Sequence, residues 1–174
     1  MARIPYADET NPEIAALADQ IRKERGGRVL NLYRMLLNSP PIASGWLNLL
    51  TAIRQKAILS GKFRELTILR IALVNGADYE YRGHIPFALK EGLSQRQIDA
   101  LPDWSGSDAF DETERAVLAY TDAMTNDVQV PDDVFAAVGS HFNPREMTEL
   151  TATIAAYNLV SRFLEALKVD TDHR

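Results

Sequence analysis

The sequence predicts an all-α fold, a bundle of about eight helices in a single domain spanning residues 1–174. Three observations predict it. Apolar residues recur at the 3.6-residue period in segment after segment, helix-start and helix-stop signals bracket those segments, and no pair of alternating strands joined by a tight turn occurs. The length suits one domain with a real core, and a composition of 46% hydrophobic and 25% charged residues is that of a folded chain.

Asn11-Pro12-Glu13 reads as an N-cap, a proline at the first helical position and an early acid, opening a helix through Ala16, Leu17 and Ile21 that Gly26-Gly27 ends. Leu30, Tyr33, Leu36 and Leu37 form a second helical segment, broken at Asn38-Ser39-Pro40-Pro41, whose prolines start a third. The third carries Trp46, Leu49, Leu50, Ile53 and Ala57 toward one side. From Arg64 to Val74 the run is rich in β-branched residues and short enough to pass for a buried strand. The period of Glu65, Leu66, Leu69, Ala72 and Leu73 favours a helix, with Asn75-Gly76 as its C-terminus.

Asp78 is the expected cap of the next helix, which runs to Glu91 and stops at Gly92. Ser94 and Gln97 then make a capping box for a short helix ending near Leu101. The stretch 102–108 is rich in turn formers and predicts a surface loop. Asp111 and Glu114 open a helix with Val117, Leu118, Tyr120, Thr121 and Met124 inward, and Pro131-Asp132-Asp133 starts a short one. Asn143-Pro144-Arg145-Glu146 begins the last and longest, apolar on more than one face through Leu150, Ile154, Ala155, Tyr157, Leu159, Phe163 and Leu167, as expected of a helix buried in the core or between subunits.

Charge and composition narrow the function. Nineteen Lys and Arg against 24 Asp and Glu leave a net charge of -5 without a basic run, which argues against nucleic acid as a partner. No apolar stretch approaches the ~20 residues needed to span a bilayer, and the N-terminal residues lack the apolar core of a secretory signal, so a cytoplasmic protein without membrane contact is expected. Cysteine is absent, which removes thiolate nucleophiles, thiol redox cycling and Cys-ligated metals.

The candidate chemistry lies in Glu65, Glu80 and His84. Glu80 and His84 are four residues apart on one predicted helix and share a face, and a hairpin around Asn75-Gly76 would bring Glu65 over that face. Two carboxylates and an imidazole on a buried face make a proton-transfer site. The same spacing fits an exposed intrahelical pair with Glu65 placed by the helix dipole, or a two-carboxylate, one-histidine site for iron, manganese or zinc.

The segment Arg64 to Leu101 resembles the core hairpin of the alkylhydroperoxidase D and carboxymuconolactone decarboxylase superfamily. Glu65 stands at the family's glutamate, His84 at its histidine and Gly92-Leu93-Ser94 at its turn, while Ala77 and Glu80 fall on the two cysteine positions of the redox members. The resemblance implies an AhpD-like helical bundle assembled as a homotrimer or homohexamer. Without a thiol pair, thiol peroxidase activity is not expected. What remains implied is a cofactor-free lyase or isomerase, similar to carboxymuconolactone decarboxylase, that acts on a small organic acid without a metal. The other reading is a non-catalytic or ligand-binding homo-oligomer that kept the fold after losing its thiols.

In the lyase reading His84 is the acid/base, Glu80 shares or orients its proton and Glu65 tunes the pair. Arg70 and Arg82 are the candidate cations for a substrate anion, or else members of solvated helix faces. Trp46 and Tyr81, with Tyr79 and Trp104, are candidates to line a pocket, or else plain core. His141 reads as a residue near a helix C-terminus and His173 as part of a polar tail.

Overall fold

The computed structural model describes residues 1–127 and 129–172, so His173 lies outside the described residues. Among the described residues the chain forms nine α-helices and no strand: α1 (Ala15–Glu24), α2 (Asn31–Leu36), α3 (Pro40–Thr51), α4 (Gly61–Val74), α5 (Asp78–Lys90), α6 (Gln95–Ala100), α7 (Glu112–Asn126), α8 (Asp132–Gly139) and α9 (Pro144–Leu167). They fall into two compact units. One holds Met1–Lys56 and the chain from Phe163 onward, and the other holds Ala57–Arg162.

In the first unit, α1 begins later than Asn11-Pro12-Glu13 predicts. Asn11 Oδ1 accepts from the Glu13 amide at 3.0 Å, so the expected cap closes a turn and the helix opens at Ala15. Gly26 and Gly27, with φ of 77° and 92°, end α1, and the Gly27 amide reaches back to the Arg22 carbonyl at 2.8 Å. On α3 the buried stripe is Ala43, Trp46, Leu47 and Leu50, so Leu47 takes the inward place expected of Leu49, which is exposed. Trp46 packs on Phe163 with ring centroids 5.2 Å apart.

The second unit is organised around α4. Glu65, Leu66, Thr67, Ile68, Leu69, Ile71 and Ala72 are all buried, and the helix packs against both α5 and α7. Each large apolar side chain buried here contributes roughly 1.5–3 kcal/mol relative to exposure, which explains why a run with strand-like composition adopts helix. Its ends are specified locally. The Ser60 hydroxyl accepts from the Lys62 amide at 3.3 Å, and Gly76, at φ 65°, closes a Schellman turn in which the Ala77 amide donates to the Ala72 carbonyl at 2.8 Å.

Helix α5 is capped by Ala77 without a side-chain bond, so Asp78 is the first helical residue and acts through the dipole instead of as the expected cap. The helix passes through Pro86 and ends at Gly92, φ 101°, in a second Schellman turn. The expected capping box is present at Ser94 with Gln97, and the acidic helix start at Asp111 proves to be a second one, with Glu114. The expected loop contains a 3-10 turn over Leu101–Gly106. It is anchored by Arg70, whose guanidinium donates to the Leu101 carbonyl at 2.9 Å and to both oxygens of Asp122. Helix α9 buries Leu150, Ile154 and Tyr157 and exposes Leu159 and Ala155. Among the described residues no helix is long and apolar enough to cross a membrane.

Candidate acid–base site

The turn Asn75-Gly76-Ala77 joins α4 and α5 and sets Glu65 facing the buried side of α5. Glu80 lies in the first turn of α5, and His84 follows one turn later on the same face. All three side chains are buried, with 1% of Glu65, 5% of Glu80 and 6% of His84 exposed. The exposed intrahelical pair is thereby excluded by geometry.

His84 stands between the two carboxylates. Its Nδ1 lies 2.7 Å from Glu65 Oε2, and its Nε2 lies 3.5 Å from Glu80 Oε2. The short bond runs either from Nδ1–H to an ionised Glu65 or from a protonated Glu65 to a bare Nδ1. The second Glu65 oxygen, Oε1, accepts from Arg64 Nε at 3.2 Å. Tyr157, from α9, meets the imidazole edge to face at 5.4 Å, and Phe87 tilts against it at 5.8 Å. A proton held at either imidazole nitrogen therefore has a carboxylate neighbour, while aromatic rings limit how far the imidazole can turn. Among the described residues no group of three His, Asp or Glu side chains is arranged to hold a metal ion.

The expected substrate contacts are placed differently. Arg70 is committed to Asp122, at 2.6 and 2.8 Å, and to the Leu101 carbonyl. Trp104 donates its indole N–H to the same Asp122 at 2.9 Å. Arg82 is 73% exposed and pairs with Asp78 at 2.8 Å, one turn back. Tyr81 is half-buried, and burial, reinforced by the charge of Asp99, raises its phenol above the ordinary value. Trp46 belongs to the other compact unit, among the core residues of α3. His141 lies just past α8, with Nδ1 3.2 Å from Thr113 Oγ1.

Two participants escape sequence reasoning. Arg64 precedes Glu65 in the chain, a spacing that on a helix normally separates side chains, yet its Nε lies 3.2 Å from Glu65 Oε1. Tyr157 reads as one more apolar residue of α9, because no local pattern indicates which remote ring it will meet.

A match to the Carboxymuconolactone decarboxylase family covers residues 40–123, just under half of the chain, and includes Glu65, Glu80 and His84. Over that stretch the chain is similar to this family. The sequence holds no cysteine, so the chain has no thiol of its own for a peroxidase cycle. The chain is 30% identical over 127 residues to the uncharacterized protein YnjA of Escherichia coli, covering 72% of this chain and 66% of YnjA. A protein of unknown function from Agrobacterium tumefaciens superposes with a TM-score of 0.74 at 26% identity, covering 79% of this chain and 95% of its own. An alkylhydroperoxidase AhpD core protein from Ralstonia eutropha shares the fold, with a TM-score of 0.82 at 16% identity over 98% of this chain and 92% of its own.

Proposed function

We propose that this chain is a cofactor-free lyase or isomerase of the carboxymuconolactone decarboxylase kind, acting by acid–base chemistry on a small carboxylated lactone or keto acid. One observation carries the reading: an imidazole lies between two buried carboxylates, 2.7 Å from one and 3.5 Å from the other. Loss of carbon dioxide breaks the bond between the substrate carboxylate and its α-carbon, and the electron pair moves into the adjacent carbonyl to give an enolate. His84 delivers a proton to that carbon, Glu80 shares the proton at Nε2, and Glu65 holds the ring at Nδ1. Solvent restores the proton to the site.

Substrate binding by Arg70 and Arg82 draws no support from their ion pairs with Asp122 and Asp78. Trp46 lies in the core of the other unit and drops out of the reading, whereas a contact from Tyr81 stays part of it, and a raised KM in Tyr81→Phe would support that contact. Self-association as a homotrimer or a multiple of it also belongs to this reading. It is supported by exposed Phe135 and Leu159 and by an open, largely apolar groove of about 850 Å³ bordered by Phe135, Phe142 and Met147.

The direct test is a screen of small lactones and keto acids with the wild type and His84→Ala. Loss of roughly 100-fold or more in turnover is expected of the variant, in line with removal of a general acid–base group. Equal turnover by the two proteins would overturn His84 as the acid/base.

A further inference from the structure

We propose that Arg64 is a positioning residue that sets the tautomer of His84 by holding Glu65 as an anion. Its consequence for turnover rests on the acid–base reading above, while the tautomer itself does not. A carboxyl group as buried as Glu65 stays charged only with a compensating partner nearby. Arg64 supplies one, with Nε donating to Glu65 Oε1 at 3.2 Å, and a guanidinium does not give up its proton in a protein.

The guanidinium is itself held in place. Only 13% of the Arg64 side chain is exposed, and its Nη2 lies 3.5 Å from Oε1 of Glu91, the residue that caps the far end of α5. Glu91 reaches this position across Gly61, where an added Cβ would stand 1.9 Å from Glu91 Oε2. The missing side chain at position 61 thus makes room for the carboxylate that steadies Arg64. One arginine connects the first turns of α4, the end of α5 and the buried glutamate between them.

The chemical effect follows from which atoms can donate. An ionised Glu65 only accepts, so the proton in the 2.7 Å bond sits on His84 Nδ1. Neutral His84 then presents an unprotonated Nε2 toward Glu80, free to take and return the working proton. Without Arg64 the buried Glu65 loses this compensating cation, and uptake of a proton then makes it the donor to Nδ1. The remaining imidazole proton then moves to Nε2, and the working nitrogen is blocked.

The test reads the ring nitrogens of ¹⁵N-labelled protein at a pH where the imidazole is neutral. The chain has three histidines, and the His84 signals are those missing from His84→Gln. The wild type and Arg64→Lys are expected in the Nδ1–H form, and Arg64→Gln in the Nε2–H form. A wild type in the Nε2–H form overturns the proposal without any variant, which keeps it falsifiable should Arg64→Gln fail to fold. A folded Arg64→Gln that keeps the Nδ1–H form overturns it equally. Where turnover is measurable, Arg64→Gln should lose about 100-fold in kcat with KM little changed, and Arg64→Lys should recover part of it. If the wild type turns over no substrate, the lyase reading fails while the nitrogen signals still decide the role of Arg64.

Discussion

Glu65 Oε2 and His84 Nδ1 meet at 2.7 Å across the α4–α5 turn, although 19 positions separate them in the chain. The contact belongs to the hairpin as much as to the site. The Schellman turn at Gly76 sets the angle at which α5 leaves α4, and that angle decides whether carboxylate and imidazole face each other. The fold of the hairpin and the geometry of the candidate site are therefore coupled at these residues.

Removing the carboxylate should expose this coupling. Glu65→Ala takes one carboxylate partner from the buried His84 ring and one from the Arg64 guanidinium, leaving them Glu80 and Glu91, and loss of one partner of a buried pair costs on the order of 3 kcal/mol. Denaturant unfolding should show a lower midpoint with an unchanged slope. A midpoint equal to that of the wild type would mean that the pair contributes nothing to the fold.

Gly76→Ala tests the turn alone. No atom lies within 4 Å of the added Cβ, so the only penalty is the left-handed φ of 65°. A loss of about 1 kcal/mol is expected, together with weakened turnover if the hairpin angle governs the site. Unchanged stability would show that the chain adopts another turn here at no cost.

Arg70 distinguishes a structural role from a substrate-binding one. Arg70→Ala leaves Asp122 without its cation and releases the 3-10 turn, so a loss of about 2 kcal/mol is expected, with KM unaffected in the fraction that stays folded. A rise in KM at unchanged thermal stability would instead make Arg70 a substrate contact.

In the first unit, Asp170 carries a pH-dependent anchor. Hydrogen bonds from the amino group of Met1, first, and from Tyr6 hold its carboxyl below the ordinary value. Because the folded value is depressed, the stabilisation is present above the ordinary carboxylate pKa and disappears as the pH falls through the lowered one. The amide signal of Ala2, which donates to Asp170 Oδ2 at 3.2 Å, should move on acidification in the wild type and stay still in Asp170→Asn. An Ala2 signal insensitive to acid in the wild type would remove the anchor.

The sequence by itself determined the helical class, most helix ends and the residues of the candidate site. The capping box at Ser94, the acidic helix start at Asp111 and the stops at Gly26, Gly76 and Gly92 were legible because a cap is formed by groups within a few residues of one another. Glu80 and His84 were legible as a pair for the same reason. The tertiary structure decided what depends on remote partners. It buries Leu47 in place of Leu49, turns the Asn11 cap into a turn before Ala15, commits Arg70 to Asp122, and brings Tyr157 against His84. The helical period states which residues share a face, but the choice of which faces meet comes from packing the whole core at once. That packing buries Glu65 beside Arg64 and against His84, and so brings three spaced residues into one buried cluster.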